Sequence, residues 1–245
     1  YCSLDILKSV IKGGARFLWL DVFNESLSLD TEPIISHGYE KGNWQYSANT
    51  ITFDSCIKMI SELAFSPKAV NNYIDPLIIA INLNVNKNSL TLQKMLESIH
   101  RHLGSVLLGS EYGYNQTNIG LVKIKTIIGK AIIICSDGYE NTNFAEIVNG
   151  QWDSNNIRLV DNRSIDDETA ENIVSKIDKE ELTNFNANNL SIVLPKLDNY
   201  RFFKTDNFKF KYGFMIGSQF IAFNYSNIDD NMDEYISFFR ESSFK

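Results

Sequence analysis

One histidine in this sequence has surroundings that suit acid–base chemistry. His37 directly follows a short apolar segment, residues 33–36, that is predicted to form a β-strand, and Gly38 comes next. Histidine has the side-chain pKa closest to neutral pH, so at the end of a strand it could serve as a general acid. A structural loop histidine would have the same neighbours, and the residues alone leave both interpretations open.

The other residues that could do chemistry give weaker indications. His100 and His102 flank Arg101 on a predicted helix, and we interpret them as part of a solvated helix face. The three cysteines include no CxxC pair, so the sequence predicts neither a zinc site nor a disulfide framework. Unpaired cysteines are typical of a reducing compartment, and an intracellular location is therefore expected.

The composition is that of a globular protein without a transmembrane segment. Of 245 residues, 44% are hydrophobic and 22% are charged, and the net charge is −7. A polyanion binder relies on clustered lysine and arginine, so nucleic acid is not an expected partner. The longest apolar runs, such as Ala131 to Cys135, are far shorter than the roughly 20 residues that cross a bilayer.

The elements that must position these residues alternate between strands and helices. Predicted strands lie at 16–23, 33–36, 76–85, 131–135, 157–160, 190–194 and 219–225. Predicted helices lie at 4–12, 52–65, 90–103, 121–128, 166–182, 208–216 and 232–239. This alternation predicts an α/β fold with a parallel sheet and helices outside it. Seven strands are one short of a (β/α)₈ barrel, so the first strand is expected upstream of Tyr1.

Four segments of the first half have a recognisable order. They are residues 14–21 (GARFLWLD), 32–39 (EPIISHGY), 61–65 (SELAF) and 76–83 (PLIIAINL). In this order they resemble the phosphoinositide-specific phospholipase C family. The family blocks are, in outline, GCRCVELD, EPV followed by a hydrophobic and an aromatic residue and HG, a helix that ends in AF, and PVILSLEN.

The second half resembles the Y region of the same family. Residues 190–196 (LSIVLPK) are similar to LSRIYPK, residues 217–225 (GSQFIAFNY) are similar to the family's block around GCQ and VALNF, and Met232 to Tyr235 follow at the family's spacing. The resemblance covers nearly the whole chain and is weakest over 105–185. It implies one distorted TIM barrel of the phospholipase C-like phosphodiesterase type, with an X-like half (1–135), a linker (136–154) and a Y-like half (155–245).

The resemblance also implies a reaction. Family members cleave a phosphodiester with the inositol 2-hydroxyl as nucleophile, two histidines that transfer protons, and a calcium ion held by carboxylates. His37 stands at the position of the second histidine, and Asp21 stands at a calcium-ligand position. If the chain is active, calcium is therefore the expected cofactor and a phosphoinositide lipid the expected substrate.

Several family positions carry residues that cannot do this chemistry. Trp19 stands where a glutamate calcium ligand is expected, Asn82 replaces a third carboxylate, and Ile192 replaces an arginine that meets phosphate. Cys135 to Asp137 replace a Lys-x-Lys pattern. The formal charge of the calcium ligands would fall from about −3 to about −1, which weakens calcium binding severely.

These departures predict a phospholipase C-like pseudoenzyme that has a binding or structural role and needs no cofactor. One alternative is an active calcium-dependent phosphodiesterase that acts on phosphatidylinositol lipids. Another is a structural component of a large assembly, such as a virion, in stable contact with protein partners. A membrane-peripheral location is compatible with the first two interpretations.

Overall fold

The computed structural model describes most of the chain. The described residues are 2–36, 40–41, 44–45, 49–152, 154–165, 178–195 and 206–239. His37, the candidate general acid, lies outside them. No helix among the described residues is long and apolar enough to cross a membrane.

Eleven strands and seven α-helices lie within these ranges. The strands are β1 (Phe17–Asn24), β2 (Pro33–Ser36), β3 (Glu40–Lys41), β4 (Trp44–Gln45), β5 (Thr50–Thr52), β6 (Leu77–Asn84), β7 (Ala131–Cys135), β8 (Gly150–Gln151), β9 (Ile157–Asp161), β10 (Leu190–Leu194) and β11 (Phe220–Ile221). The helices are α1 (Leu4–Lys12), α2 (Phe53–Ala64), α3 (Ser89–Leu103), α4 (Asn162–Ile165), α5 (Lys179–Asn186), α6 (Lys211–Met215) and α7 (Asp230–Phe239).

The three longest helices of the first half begin at side chains that cap them. The Ser3 hydroxyl accepts a hydrogen bond from the Ile6 N–H at 3.1 Å at the start of α1, and Thr52 does the same for Ser55 at the start of α2. The Asn88 side chain caps α3. Each cap satisfies backbone donors that the first helical turn leaves without a partner.

The larger sheet has six strands in the order β5-β2-β1-β6-β7-β8. β1, β6 and β7 are parallel, as expected, and β8, which was not predicted, pairs parallel to β7. Apolar residues make up most of β6 and all of β7 except Cys135. β2 is antiparallel to both β1 and β5, so the sheet is mixed and the prediction of a purely parallel sheet is wrong. The reason is the short connection over 25–32, which can join antiparallel neighbours but is too short for a parallel crossover.

The second sheet contains three parallel strands in the order β11-β10-β9. Its inner face and that of the larger sheet share one buried cluster, which includes Ala80, Ile134, Ile157 and Ile192. The rings of Phe17 in β1 and Phe220 in β11 stack at 4.8 Å between centroids. Among the described residues, no strand of one sheet pairs with a strand of the other. The described strands therefore do not form a closed barrel.

The outer face of the larger sheet is covered by α1, α2 and α3. Leu18, Leu20 and Val22 of β1 point to this side and join a second cluster with the buried faces of the helices. Alternate residues of β1 therefore serve two cores, one outside the sheet and one between the sheets. This arrangement fixes which β1 side chains reach the candidate site.

A cleft of about 740 Å³ opens between β1 and β11. Its walls come from α1, β1, β11 and α7, and most of the lining side chains are apolar. Residues 17–21 of β1 pair with β6 on one side, while β2 reaches only residues 22–24 on the other. β11 pairs with β10 alone among the described strands.

Three predicted helices differ from the structure. Residues 121–128 form no α-helix, and short 3₁₀ turns lie at Ile119–Leu121 and Ile124–Thr126 instead. Residues 166–177 of the helix predicted over 166–182 lie outside the description, and the described part belongs to α5, which Asp178 caps and which runs on to Asn186. The helix predicted near 208–216 is the short α6.

The predicted linker over 136–154 contains ordered structure. Tyr139 and Phe144 are fully buried against the outer cluster, and Asn143–Ile147 forms a 3₁₀ turn. β8 follows and extends the larger sheet. The division of the chain into an X-like half, a linker and a Y-like half stays a prediction.

Candidate functional site

The register of β1 and β6 brings three of the predicted site residues together. Asp21 lies directly opposite Asn82 in the parallel pairing. The Asn82 side-chain amide donates a hydrogen bond to Asp21 Oδ1 at 2.8 Å, and the Trp19 indole N–H donates to the same oxygen at 3.1 Å. The same carboxylate oxygen thus receives one N–H group from Trp19 and one from Asn82, two of the positions where the sequence departs from the family pattern.

This geometry does not suit a calcium ion. Calcium takes six to eight oxygen ligands, with several carboxylates among them. An N–H group that points at Asp21 Oδ1 presents its positive end where a cation would lie, and the indole has no lone pair to offer. Among the described residues, no group of three or more histidine, cysteine or acidic side chains is placed to hold a metal.

Trp19 also takes part in an aromatic stack that sequence reasoning missed. Its ring lies 4.8 Å from the ring of Trp152 with an interplanar angle of 24°. Trp152 follows β8 and is 4% exposed, within the cluster between the sheets. The sequence gives no signal for this pair, because the chain returns to the sheet through an irregular segment.

Ile192, at the position where the resemblance implies a phosphate-binding arginine, belongs to the same interior cluster. It is fully buried on β10, opposite Leu159 of β9 and Phe220 of β11. Trp152 is a member of the cluster, and Trp19 packs against it. The space near this position is therefore filled by apolar side chains rather than by groups that bind an anion.

Two of the three positions that the resemblance assigns to the Lys-x-Lys pattern have structural roles here. The Cys135 side chain is buried, and burial raises the pKa of its thiol well above the ordinary value. The Ser136 hydroxyl accepts a hydrogen bond from the Leu83 N–H at 2.8 Å, which joins the ends of β6 and β7. No cation stands at these positions to contact a phosphate.

Amide and acidic groups lie nearby at the ends of β7 and β8. The Tyr139 hydroxyl donates to Gln151 Oε1 at 3.2 Å, and the Gln151 amide donates to Glu140 Oε1 at 3.3 Å. Burial, followed by the charges of neighbouring groups, raises the pKa of Tyr139. A neutral phenol in this chain of hydrogen bonds is not a proton acceptor at neutral pH.

Arg16, the basic residue of the GARFLWLD segment, also has a structural role. Its guanidinium donates to the backbone carbonyls of Ala64 at 2.7 Å and Pro76 at 3.4 Å, and to that of Asp75. Burial lowers the pKa of Arg16 to about 10, and the Asp75 charge opposes this shift. The side chain ties the start of β1 to the end of α2 and the start of β6.

The two helix histidines differ from each other. His100 is exposed, as predicted for a solvated face. His102 is not, because its side chain is only 16% exposed and its Nε2 lies 3.0 Å from Asp54 Oδ1. Ser98 and Arg101 contact the same Asp54 oxygen, so His102 belongs to an α2–α3 cluster that is separate from the candidate site.

Comparison with known proteins gives matches among solved structures alone. No family model matches the sequence, and no curated protein matches it. The crystal structure of S. officinalis PLC21 superposes with a TM-score of 0.73 at 17% identity, over 97% of this chain and 32% of the other. The crystal structure of L. pealei PLC21 superposes with a TM-score of 0.71 at 18% identity, over 97% of this chain and 33% of the other.

A third structure is a calcium-dependent phosphoinositol-specific phospholipase C from a Pseudomonas species. It superposes with a TM-score of 0.50 at 11% identity, over 89% of this chain and 82% of the other. The fold is that of phosphoinositide-specific phospholipase C. This confirms the family resemblance read from the order of short segments.

The likeness has a defined extent. The present chain spans about a third of the length of the two PLC21 structures. At identities of 11–18%, the superpositions establish the phospholipase C fold alone. The activity has to be argued from the residues of the site. Within this fold, Asp21 keeps an acidic side chain, whereas Trp19 and Asn82 supply N–H donors.

Proposed function

We propose that this chain is a catalytically inactive protein with a phospholipase C fold that serves a binding or structural role. The observation that carries the proposal is the pair of N–H donors on Asp21 Oδ1. A calcium ion at this position would have to displace both donors. It would then find one carboxylate where the family resemblance implies three.

The filled interior supports the same proposal. A phosphoinositide headgroup needs an open cavity with cationic groups that meet its phosphates. Here the Trp19–Trp152 stack and the buried Ile192 occupy the space between the sheets. Binding a headgroup there would require these apolar side chains to separate, at the cost of their burial.

The architecture carries a finer proposal. The two sheets would be the halves of one distorted TIM barrel, in which the cleft between β1 and β11 has about the size of one short strand segment. Five residues of a strand occupy roughly 800 Å³ at a spacing of about 4.8 Å and a sheet thickness of about 10 Å. The cleft, at about 740 Å³, has a similar volume.

A second candidate function is an active calcium-dependent phosphodiesterase. It is favoured by the acidic side chain of Asp21 and by the bacterial structure of the same fold, which is a calcium-dependent enzyme. Such an enzyme would use His37 as general acid and a metal site with an altered set of ligands. The substrate would be a phosphatidylinositol lipid.

The experiment is an assay of inositol phosphate release by the complete gene product. Phosphatidylinositol and its bisphosphate are offered with excess calcium, and a His37→Ala variant serves as control. No release above that of the control is expected. Calcium-dependent release that His37→Ala abolishes would refute the proposal and establish the active phosphodiesterase.

A reconstructed site provides the matched comparison. The variant Trp19→Glu/Asn82→Asp returns two carboxylates beside Asp21 and removes both N–H donors. It is expected to bind calcium by titration calorimetry, whereas the unaltered protein is expected to give no heat of binding. Equal calcium binding by the two proteins would show that Asp21 and its donors do not control the metal.

A further inference from the structure

Several large apolar side chains are exposed together at one end of the molecule. We call this group the base patch. It consists of Ile74, Leu121, Ile124, Ile128, Phe214 and Met215. Met215 is 77% exposed and Leu121 is 62% exposed, which is unusual for side chains of this size when they cluster.

The base patch lies where the strands begin. Ile74 precedes β6, the segment from Leu121 to Ile128 precedes β7, and Met215 precedes β11. The Gly129 N–H donates to the Ile74 carbonyl at 2.7 Å, which joins the first two of these loops. Ile124 of the second loop and Phe214 of the third both line the cleft between β1 and β11, and Met215 follows Phe214 in the chain.

One loop of the base patch carries a charge that is opposite in sign to that of the whole chain. Residues 119–130 contain Lys123, Lys125 and Lys130 and no acidic residue, while the chain carries −7. Lys123 and Lys125 are exposed, and none of the three forms an ion pair within the part of the chain that the structure describes. The acidic neighbour Asp75 lies beside the buried Arg16 charge.

We propose that the base patch binds the surface of a membrane that contains anionic lipid. Aliphatic side chains that alternate with lysines can enter the interfacial region while the ammonium groups meet lipid phosphates. A protein partner would favour a different composition, since lysine is depleted and arginine enriched at protein–protein interfaces. The loop that carries Leu121, Ile124 and Ile128 also carries three lysines and no arginine, and Arg16, which lines the adjoining cleft, is buried.

This surface is distinct from the candidate site. Asp21 and Asn82 lie in the second halves of β1 and β6, towards the opposite ends of the strands. Binding through the base patch would therefore keep the Asp21 region away from the bilayer. The inference depends on the exposure and charge of the base patch, and it holds whether or not the chain is catalytic.

The test is co-sedimentation of the protein with lipid vesicles. One set contains phosphatidylcholine alone, and the other contains phosphatidylcholine with phosphatidylserine. Binding to the second set is expected to exceed binding to the first and to weaken as salt rises. Failure of the unaltered protein to bind phosphatidylserine vesicles would overturn the proposal.

Two pairs of substitutions separate the charge from the apolar contribution. Lys123→Glu/Lys125→Glu is expected to weaken binding to phosphatidylserine vesicles by roughly 100-fold, since each basic residue near an anionic surface contributes about a factor of five and reversal adds repulsion. Leu121→Asp/Ile124→Asp is expected to weaken it at least about tenfold. All four positions are exposed, so circular dichroism should show an unchanged fold.

A matched control comes from the opposite end of the molecule. Leu27 and Leu29 are 77% and 79% exposed in the loop that follows β1. Leu27→Asp/Leu29→Asp should bind vesicles as the unaltered protein does. If Leu27→Asp/Leu29→Asp abolishes vesicle binding while the base-patch variants do not, the protein binds the membrane through the opposite end and the proposal is wrong. Sedimentation without vesicles that depends on Leu121 and Ile124 would identify a self-association surface and would also overturn the proposal.

Discussion

Asp21 can be changed in two ways that separate a hydrogen-bonding role from a metal-binding role. Asp21→Ala removes the acceptor and leaves the Trp19 indole N–H and the Asn82 amide without their shared partner. Hydrogen bonds to a charged group contribute about 1.5–3 kcal/mol each, and the half-buried site favours the lower value. The free energy of unfolding should therefore fall by about 3 kcal/mol.

Asp21→Asn keeps an oxygen at the same place and loses only the negative charge. Both donors retain an acceptor, so the loss should be about 1 kcal/mol or less. A calcium ligand would behave differently, because an amide in place of the Asp21 carboxylate would weaken the metal site as much as alanine does.

The assay is urea unfolding followed by tryptophan fluorescence, with millimolar calcium and with a chelator. Calcium should leave the midpoint of all three proteins unchanged. The reasoning is refuted if the two variants are equally destabilised. It is refuted as well if calcium stabilises the unaltered protein and that stabilisation disappears in Asp21→Asn.

Three further predictions concern the groups around the site. Arg16→Met leaves three backbone carbonyls without their donor and should lower the free energy of unfolding by about 3 kcal/mol in urea titration; an unchanged midpoint would contradict this. Trp152→Ala removes a buried ring and its stack and should cost about 4 kcal/mol by the same method, whereas a loss below about 1 kcal/mol would disprove the packing argument. Burial opposes ionisation of Asp54, but hydrogen bonds from Ser98 and His102 outweigh it, and the pKa of Asp54 lies below its usual value. A carboxyl group with a lowered folded pKa contributes stability above its unfolded pKa of about 4, and this contribution is lost as pH falls through the folded pKa. The stability difference between the protein and Asp54→Asn should therefore shrink below about pH 4, and a constant difference would be evidence against the pKa shift.

The sequence predicted correctly the helices and strands whose ends are marked by capping residues, glycine or a change from apolar to polar residues. α1 runs from Leu4 to Lys12 as expected, because Ser3 can cap its start and Gly14, with φ of 94°, takes a conformation that glycine adopts easily. β7 matches its prediction because an uninterrupted apolar run of five residues suits a strand buried on both faces.

Tertiary contacts decided the elements that were predicted wrongly. Residues 121–128 have apolar side chains at helical spacing, but Leu121, Ile124 and Ile128 are exposed and only Ile127 is buried. A helix here would lack a core to cover, so the segment forms 3₁₀ turns instead. β2 was predicted as a strand, but its direction depends on the length of the connection before it.

The candidate site was predictable in part. The resemblance identified Trp19 and Asn82 as departures, and their meeting at Asp21 follows from the register of two neighbouring parallel strands. Trp152 could not be predicted, since no local pattern marks a residue that reaches the interior after an irregular segment. His37 stays a prediction.

The side chains that depart from the family pattern contact one another. Changing one of them alone back to the family residue is therefore expected to destabilise the site. Trp19→Glu alone would remove the stack on Trp152, take away the indole N–H donor and bring a second carboxylate towards Asp21. Loss of a large buried ring costs about 3–5 kcal/mol, and repulsion between the carboxylates adds to it. We therefore expect this variant to be less stable than the unaltered protein by at least about 3 kcal/mol in urea titration, and we expect calcium to restore part of that loss by offsetting the repulsion. A variant that folds normally and binds calcium on its own would mean that Trp19 fills a vacant metal site without having become part of the core.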